Sequence, residues 1–470
     1  MTVRRLIPSF PLLAALLAAA LAGLAGCQGT PTKNEKLARR DLKDIASRYR
    51  PEGARPSLPA LTDNATLANL MEYALLNSPG VESAYFDWVV SIEGITTARS
   101  QPDPMLQFGL TISGGIPSLS ASLTSDPGMN WPGPGKLPLR GDAAYGDSLK
   151  KRSVFDGELL SAALAVKRVY YETWTLQEQI RRTREMLALV ENIEAIARQR
   201  LTVGKTTQQE VLRAQMERDR LRNQLAGLED SRRLEASRLR SALGMTPDDN
   251  LPAITARLDP AAEQLTEQSL LQTAFERNPR LKEMQGEVFQ AMALYQLAKK
   301  SNVPDYSWGI GAGVGPGPVS IMPSFGITLP VWRDKIEAQV AAGRGGLDAA
   351  NAKLSSEKID LAVRFAESAY AWRDANRGVQ LYHTLLIPKA KFALDSSRAD
   401  YVGGDSAFSD LLDAEKTLIE YQMADAEATG RREIALAETS LVILGRWPEN
   451  VKPIVTDDPA AAPEGKSVPH

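Results

Sequence analysis

Two neighbouring segments in the middle of the chain alternate between apolar and small polar residues, which is the period-two pattern of a β-strand with two different faces. The turn-forming run Gly315-Pro316-Gly317-Pro318 separates them. One face carries Tyr306, Trp308, Ile310, Ala312 and Val314 in the first segment and Val319, Ile321, Phe325, Ile327 and Leu329 in the second. The other face is mostly glycine, serine and threonine. The pattern predicts a hairpin with one face suited to lipid and one suited to water.

The same pattern occurs earlier in the chain. Leu106, Phe108, Leu110 and Ile112 alternate with smaller or polar residues, and the weaker run Leu119, Ala121 and Leu123 follows a turn at Gly114-Gly115. Asp126-Pro127-Gly128 interrupts this last strand, which could extend over about 119–131. The two hairpins could form a soluble sheet or enter a membrane. Single-chain membrane barrels begin at about eight strands, so the membrane interpretation requires several chains to share one barrel.

The first 26 residues have the organisation of an export signal. Arg4 and Arg5 precede an apolar run, and small residues precede Cys27, the only cysteine of the 470 residues. Leu24-Ala25-Gly26-Cys27 resembles the lipobox of bacterial lipoproteins, which implies a lipid on Cys27 after cleavage. In that resemblance Gln28, where an aspartate would retain the protein at the inner membrane, favours the outer membrane. A plain secretory peptide followed by an accidental cysteine is the alternative.

Composition argues against several functional classes. The chain has 55 basic and 57 acidic residues and a formal net charge of -2, which gives no case for binding nucleic acid. Two histidines, His383 and His470, and one cysteine cannot build a thiolate or imidazole metal cluster. Gly204-Lys205-Thr206 is not a phosphate-binding loop, because Gln199 replaces the first glycine of that motif. We therefore predict no enzyme, no cofactor and no metal site.

The sequence contains an internal repeat. Leu70, Ala74 and Asn77-Ser78-Pro79 match Leu270, Ala274 and Arg277-Asn278-Pro279, and each proline predicts a corner between two helices. Each half continues through its strand pair to a long helix, a short turn and a second long helix. The first long helix is predicted from Leu159 by apolar residues at seven-residue spacing, which indicates a coiled coil. The turns are predicted at 201–206 and 401–406.

These turns carry the most specific signal. Leu201-x-x-Gly204 and Tyr401-x-x-Gly404 are each followed, ten residues after the glycine, by an alanine, and the second copy continues as Asp410-Leu411-Leu412-Asp413-Ala414-Glu415. Together with the strand pairs and the corner prolines, this resembles the TolC family of outer-membrane efflux proteins over residues 60–446. The lipidated members that work with tripartite multidrug or heavy-metal pumps are the most similar in appearance.

The resemblance implies a mainly α protein with membrane β-structure. Internally duplicated coiled-coil hairpins and four strands per chain would assemble as a homotrimer, with a 12-stranded β-barrel and a periplasmic α-helical tunnel. It implies outer-membrane lipid, a periplasmic adaptor (membrane fusion) protein and an inner-membrane pump of the RND type as partners. The function would be a passive exit duct for drugs, metal ions or other small solutes. The alternative is a lipid-anchored periplasmic structural coiled-coil protein without a pore.

The resemblance also implies roles for individual residues. Asp410 and Asp413, at i and i+3, would ring a closed pore entrance, although an ordinary solvated pair is the simpler interpretation. Val203, Gly204, Lys205, Gly403 and Gly404 would contact the adaptor, or the glycines would merely cap helices. The barrel's lipid face would carry Leu106, Phe108, Leu110, Ile112, Tyr306, Trp308, Ile310, Phe325 and Ile327.

The predicted organisation follows from these features. We expect a lipoprotein signal at 1–26 and a lipid-anchored extended linker, with at most one short helix, at 27–62. A first repeat is expected at 63–245, with strands at about 104–131. An inter-repeat linker at 246–265 leads to a second repeat at 266–446 with strands at about 305–330. A disordered, proline-containing tail is expected at 447–470.

Overall fold

The computed structural model of the chain describes residues 31–63, 65–113, 116–125, 130–252, 254–258, 267–314, 318–403 and 405–455. The chain divides into two compact units. Of the described residues, the first contains those of 31–40, 92–145 and 293–341, and the second those of 41–91, 146–292 and 342–455. The strands belong to the first unit and most of the long helices to the second.

The order of elements repeats, as the sequence predicts. The first half contains α1 Lys33–Tyr49, α2 Leu67–Asn77, α3 Pro79–Arg99, β1 Pro104–Ser113, β2 Ile116–Ser125, α4 Lys136–Thr202 and α5 Gln208–Ala242. The second half contains α6 Glu267–Arg277, α7 Pro279–Lys299, β3 Tyr306–Val314, β4 Ser320–Ile327, α8 Arg333–Val379, α9 Ile387–Gly403 and α10 Phe408–Glu438. Two π-helical segments, Gln380–Leu386 and Thr439–Ile443, lie in the second half. Among the described residues, every helix is too short or too polar to cross a membrane.

The four strands form one antiparallel sheet in the order β1-β2-β3-β4. Ala121 of β2 lies opposite Phe108 of β1 on one side and Ala312 of β3 on the other. The sequence leaves the end of β2 open; in the structure β2 ends at Ser125, and Trp131 forms an isolated bridge to Tyr306. The sheet has two edges, β1 and β4, that no other strand of the described chain covers.

Each repeat closes on itself through an asparagine at its corner. Asn77 donates from Nδ2 to the carbonyl oxygens of Leu243 and Gly244, at 3.0 Å each. In the second half Asn278 donates to the carbonyl oxygens of Val442 at 3.0 Å and Ile443 at 3.1 Å. The amides thus accommodate carbonyls that a helix end leaves without partners. The corner predicted from Pro79 and Pro279 is therefore a point of contact with the last turn of the same repeat.

The segment expected to be an extended linker contains α1, a helix of 17 residues. Its Glu35 is 1% exposed and receives hydrogen bonds from Thr96 at 2.6 Å, Arg39 at 3.2 Å and Arg99. Burial alone would raise the pKa of Glu35, but the bonds from Arg99, Thr96 and Arg39 lower it to about 2. Glu35 and Arg39 of this segment are therefore paired, with Arg99 and Glu93 respectively. Their partners on α3 are too distant in the sequence for local pattern to show.

Helix α4 begins at Lys136, well before the predicted start at Leu159. Glycine within 136–157 weakened the helical pattern, since glycine costs about 1 kcal/mol in a helix interior. The structure gives Gly146 a packing role. A Cβ at this position would lie 2.7 Å from the backbone of Gln290, so glycine permits close approach of α4 and α7.

The predicted tail also begins too early. Val451 and Ile454 are buried, and the indole nitrogen of Trp447 donates to the carbonyl oxygen of Val451 at 3.1 Å. Residues 447–455 therefore pack on the second unit. Two apolar side chains that gain burial outweigh the local effect of the neighbouring prolines.

Candidate functional site

The apolar faces of all four strands coincide on one side of the sheet. Leu123 lies opposite Leu106 on one side and Ile310 on the other, and directly opposite residues share a face. All the residues predicted for a lipid face are on this side: Leu106, Phe108, Leu110, Ile112, Tyr306, Trp308, Ile310, Phe325 and Ile327. Phe108 is 72% exposed and Phe325 73%. So large an exposed apolar surface requires a covering partner.

One predicted member of this face is partly covered. Trp308 packs edge-on against Trp131, with ring centroids 5.8 Å apart. Trp131 is held by backbone hydrogen bonds to Tyr306, of 2.7 Å and 2.9 Å. The aromatic pair therefore ties the segment after β2 to the start of β3.

The opposite face carries mostly small residues, with Met105, Gln107 and Met322 as larger exceptions, and its glycines lie against hydroxyls. A Cβ on Gly109 would lie 2.7 Å from the Oγ of Ser120, and one on Gly326 would lie 2.3 Å from the Oγ of Ser307. Ser120 donates to the carbonyl oxygen of Gly109 at 3.1 Å. None of the four described strands carries a charged residue. This face is therefore uncharged and, apart from two methionines and a glutamine, built of small polar residues and glycine.

The turn between α4 and α5 is a tightly capped helix end. Gly204 has φ +70°, and Lys205 donates from its backbone to the carbonyl oxygen of Arg200 at 2.9 Å. Only glycine adopts such a φ without strain, which explains Gly204. Thr207 then caps α5 by accepting from the backbone N–H of Glu210, whose carboxylate accepts from the hydroxyl of Thr206. Val203 and Lys205 are exposed at this turn.

The turn between α9 and α10 has the same backbone closure but weaker capping. Asp405 donates to the carbonyl oxygen of Asp400 at 2.9 Å. Ala407 occupies the N-cap of α10 and has no side chain that could accept a hydrogen bond. Gly403 is the exposed last residue of α9, while Gly404 lies outside the described residues.

Arg200 joins the two turns. Its Nη1 donates to the carbonyl oxygen of Tyr401 at 2.7 Å, and its guanidinium carbon lies 4.5 Å from the centroid of the Tyr401 ring. A buried cluster adjoins this contact and takes one residue from each of the four helices: Ile193, Ala214, Tyr401 and Leu411. The two hairpins are therefore held together within one chain at this level.

Asp410 and Asp413 are both exposed at the start of α10. The hydroxyl of Ser409 donates to Asp410 at 3.3 Å, whereas no cation within the described residues pairs with either carboxylate. At the matching positions of the first hairpin stand Glu210, which is partly buried, and the exposed Arg213. The second hairpin thus presents two solvated negative charges where the first presents mixed charge.

Sequence reasoning missed Glu415. Its carboxylate is 1% exposed, and neither oxygen has a hydrogen-bond partner within the described part of the chain. Burial raises the pKa of Glu415 to about 8, and the positive charge of Arg398 opposes that shift. Its position offered a signal, because Leu411, Glu415 and Ile419 are spaced by four and so share the buried helix face.

The proposed lipidation site, Cys27, lies outside the described residues. Its role therefore stays a prediction from the sequence.

Comparison with known proteins agrees with this geometry. None of the curated proteins matches the sequence at a significant level. The fold is similar to a membrane protein from Pseudomonas aeruginosa, with a TM-score of 0.69, 18% identity, and coverage of 83% of this chain and 98% of that one. It is also similar to the outer membrane protein VceC of Vibrio cholerae, with a TM-score of 0.68, 17% identity, and coverage of 81% and 96%.

A third structure, the open state of the Neisseria gonorrhoeae MtrE outer membrane channel, has a TM-score of 0.68 at 17% identity and covers 83% of this chain and 94% of that one. At these identities the likeness establishes the fold. The family model described as "Outer membrane efflux protein" matches residues 70–245 and 270–441, one segment in each repeat. The chain therefore belongs to the outer membrane efflux protein family.

Proposed function

We propose that three copies of this chain join their sheets into one twelve-stranded barrel. The observation that carries this proposal is the pair of uncovered edges, β1 and β4, on a sheet with one continuous apolar face. In lipid each unpaired backbone group costs several kcal/mol, so an isolated four-stranded sheet is unstable there. Pairing β4 of one copy with β1 of the next covers every edge.

The family is one of outer-membrane efflux channels and not of enzymes, and this chain is an exit duct of that kind. We propose that it works within a tripartite assembly, with a periplasmic adaptor and an inner-membrane pump of the RND type. The pump would supply the energy, and the duct would conduct drugs, metal ions or other small solutes passively. The uncharged polar face of the sheet supports a passive role, because it carries no fixed charge that would retain an ion.

Two measurements distinguish this assembly from a structural coiled-coil protein without a pore. The purified protein in detergent should have the mass of a trimer that heating converts to single chains, and it should conduct ions in planar bilayers. A stable single chain with no conductance would overturn the proposed assembly.

We propose that Asp410 and Asp413 line the periplasmic entrance. Their solvation and lack of a partner cation support this, because three copies would bring six carboxylates together and make the entrance attractive to cations. Asp410→Asn with Asp413→Asn should reduce cation selectivity and raise single-channel conductance, since it removes the carboxylates that hold cations in the entrance. Glu420→Gln, an exposed carboxylate farther along α10, is the control. Conductance and reversal potential equal to those of the parent would exclude these aspartates from the entrance.

The exposed turns are the proposed adaptor contacts. Val203 and Lys205 project from a rigidly capped turn, and Gly403 leaves the second turn without a side chain. A photo-crosslinker at Lys205 should capture the adaptor in an assembled pump. If no adducts form at Lys205 while crosslinkers elsewhere on the hairpin do capture the adaptor, the turn is not a contact. Gly204 and Gly403 would then serve only to end their helices.

Cys27 is proposed to carry the lipid anchor. Each buried methylene of such an anchor adds about 0.8 kcal/mol of membrane affinity. Mass spectrometry of the mature amino terminus would test the assignment, and an unmodified cysteine, or cleavage elsewhere, would contradict it.

A further inference from the structure

One exposed surface at the end of β4 has no role in the function proposed above. It consists of Leu329, Val331, Trp332, Arg333 and Lys335, which we name the basal patch. Trp332 is 74% exposed and both aliphatic residues exceed 60%. Within the described residues, Arg333 and Lys335 are exposed and have no ion-pair partner. A large aromatic ring and two cations, with the carboxylate of Asp334 between the cations, are therefore exposed within one short segment.

The basal patch continues the apolar face of the sheet. The backbone N–H of Thr328 donates to the carbonyl oxygen of Asp305 at 2.8 Å, so pairing with the chain before β3 extends just past Ile327. Leu329 follows the alternation of Phe325 and Ile327 onto the same side. Ile336 then donates to the carbonyl oxygen of Trp332 at 3.2 Å, which begins α8. The patch thus lies at the rim where the sheet passes into helix.

The first repeat has comparable residues, but uses them internally. Trp131 packs on Trp308, and Lys136 donates to Asp305 at 2.7 Å. Trp332 has no such aromatic partner within the described residues. An exposed tryptophan beside exposed cations is therefore found after the strands of the second repeat only. A strand pair can end without it, as the first repeat shows.

The cations are also placed against local preference. The first turn of a helix favours acidic side chains such as Asp334 and disfavours basic ones, because the free backbone N–H groups carry partial positive charge. Arg333 and Lys335 in the first turn of α8 therefore gain from an external anion. Tryptophan is enriched where a membrane protein crosses from hydrocarbon to headgroups, and long basic side chains extend from there to phosphates.

We propose that the basal patch binds the anionic phospholipid headgroups at the rim of the bilayer, with Trp332 in the interfacial layer and Arg333 and Lys335 on lipid phosphates. This inference rests on the proposed membrane position of the sheet. A second copy of the chain is a less suitable occupant, because it would have to bury two cations beside an apolar ring. At a lipid headgroup, Arg333 and Lys335 would pair with phosphate and stay in contact with water.

The test uses the assembled, full-length protein with Trp332→Cys, labelled with a small fluorophore and reconstituted in vesicles of phosphatidylglycerol and phosphatidylcholine. Nitroxide quenchers are placed on the headgroup or at mid-chain. The label at 332 should be quenched more strongly from the headgroup than from mid-chain. Phe108→Cys, on the sheet face, should show the reverse order, and Val203→Cys, on a helical turn, should be insensitive to both.

The outcomes separate the two proposals. If neither the 108 nor the 332 label responds to lipid quenchers, the membrane position of the sheet is wrong. If only the 108 label responds, the sheet is in the bilayer and the basal patch is exposed to water or covered by another chain, which overturns the inference. A water-soluble quencher distinguishes these last two cases.

The charge contribution is tested separately. In the labelled protein, Arg333→Gln with Lys335→Gln should reduce by about twofold the headgroup quenching gained on replacing phosphatidylcholine by phosphatidylglycerol. Arg344→Gln, an exposed cation farther along α8, is the matched control and should leave that gain unchanged. An equal gain in all three proteins would show that the cations do not contact the headgroups.

Discussion

The two helical hairpins descend from one pattern but are stabilised differently. Between α4 and α5 there are four Arg–Glu pairs: Arg218–Glu194 at 2.8 Å, Arg222–Glu191 at 2.7 Å, Arg184–Glu229 at 2.5 Å and Arg238–Glu172 at 3.7 Å. In the described residues no ion pair joins α9 to α10, and the nearest equivalent is His383–Asp425 at 3.3 Å, from the π-helical segment. The first hairpin is therefore the more firmly fastened of the two.

Helix regularity shows the same contrast. Helix α4 runs for 67 residues without a break, whereas both π-helical segments lie in the second repeat. A π-helical turn costs hydrogen-bond geometry and marks a site where a helix can change register. The comparison indicates that the second hairpin rearranges more easily, so any opening of the entrance should begin there.

The largest expected effect is on the free energy of unfolding and concerns Glu415, whose buried carboxyl group destabilises the second hairpin when it is ionised. Its folded pKa of about 8 exceeds the unfolded value of 4.5, so the folded state binds the proton more tightly. The free energy of unfolding therefore falls as pH rises from about 4.5 to 8, at up to roughly 1.4 kcal/mol per pH unit, and is level above. Glu415→Gln should remove this slope.

The measurement is the apparent Tm in detergent at pH 5, 6.5, 8 and 9. The difference in Tm between Glu415→Gln and the parent should increase up to pH 8 and then stay constant. Glu420→Gln, which changes an exposed carboxylate of the same helix, should show no such trend. A constant difference at every pH would mean that Glu415 is ionised in the folded protein.

A smaller effect is expected from Arg200→Ala, which separates the two hairpins. A hydrogen bond from a charged donor contributes about 1.5–3 kcal/mol, and the contact with the Tyr401 ring adds to it. Hydrogen exchange should accelerate mainly in α9 and the start of α10. Arg213→Ala removes an exposed cation from the same hairpin and should not have this effect; equal acceleration in both variants would contradict a specific contact.

The smallest effects concern the helix caps and test the comparison directly. Thr207→Ala should destabilise the first turn of α5 by about 1 kcal/mol, and Ala407→Ser should stabilise that of α10 by a similar amount. Amide exchange at these turns measures both. If Ala407→Ser gives no protection, the weaker capping of the second hairpin is not caused by its N-cap residue.

The strands and corners could be predicted from sequence because their signals are local. Alternation fixes the faces of β3 without knowledge of its neighbours, and Pro79 marks a corner wherever the chain goes. Glu35 and Arg200 could not be placed, because their partners Arg99 and Tyr401 are distant in the chain. The pKa of Glu415 likewise depends on burial by other helices, which spacing indicates only in outline.

The unequal bulk of the two sheet faces has a mechanical consequence. Glycines and hydroxyl-bearing residues predominate on one side, at Gly109 and Ser120 for example, while rings and branched chains predominate on the other, as at Phe325. A sheet crowded on one side bends away from the crowding, so each copy is biased to curl toward its thin side before it meets another. The difference in bulk therefore favours, within a single chain, the direction of curvature that closure of the proposed barrel requires.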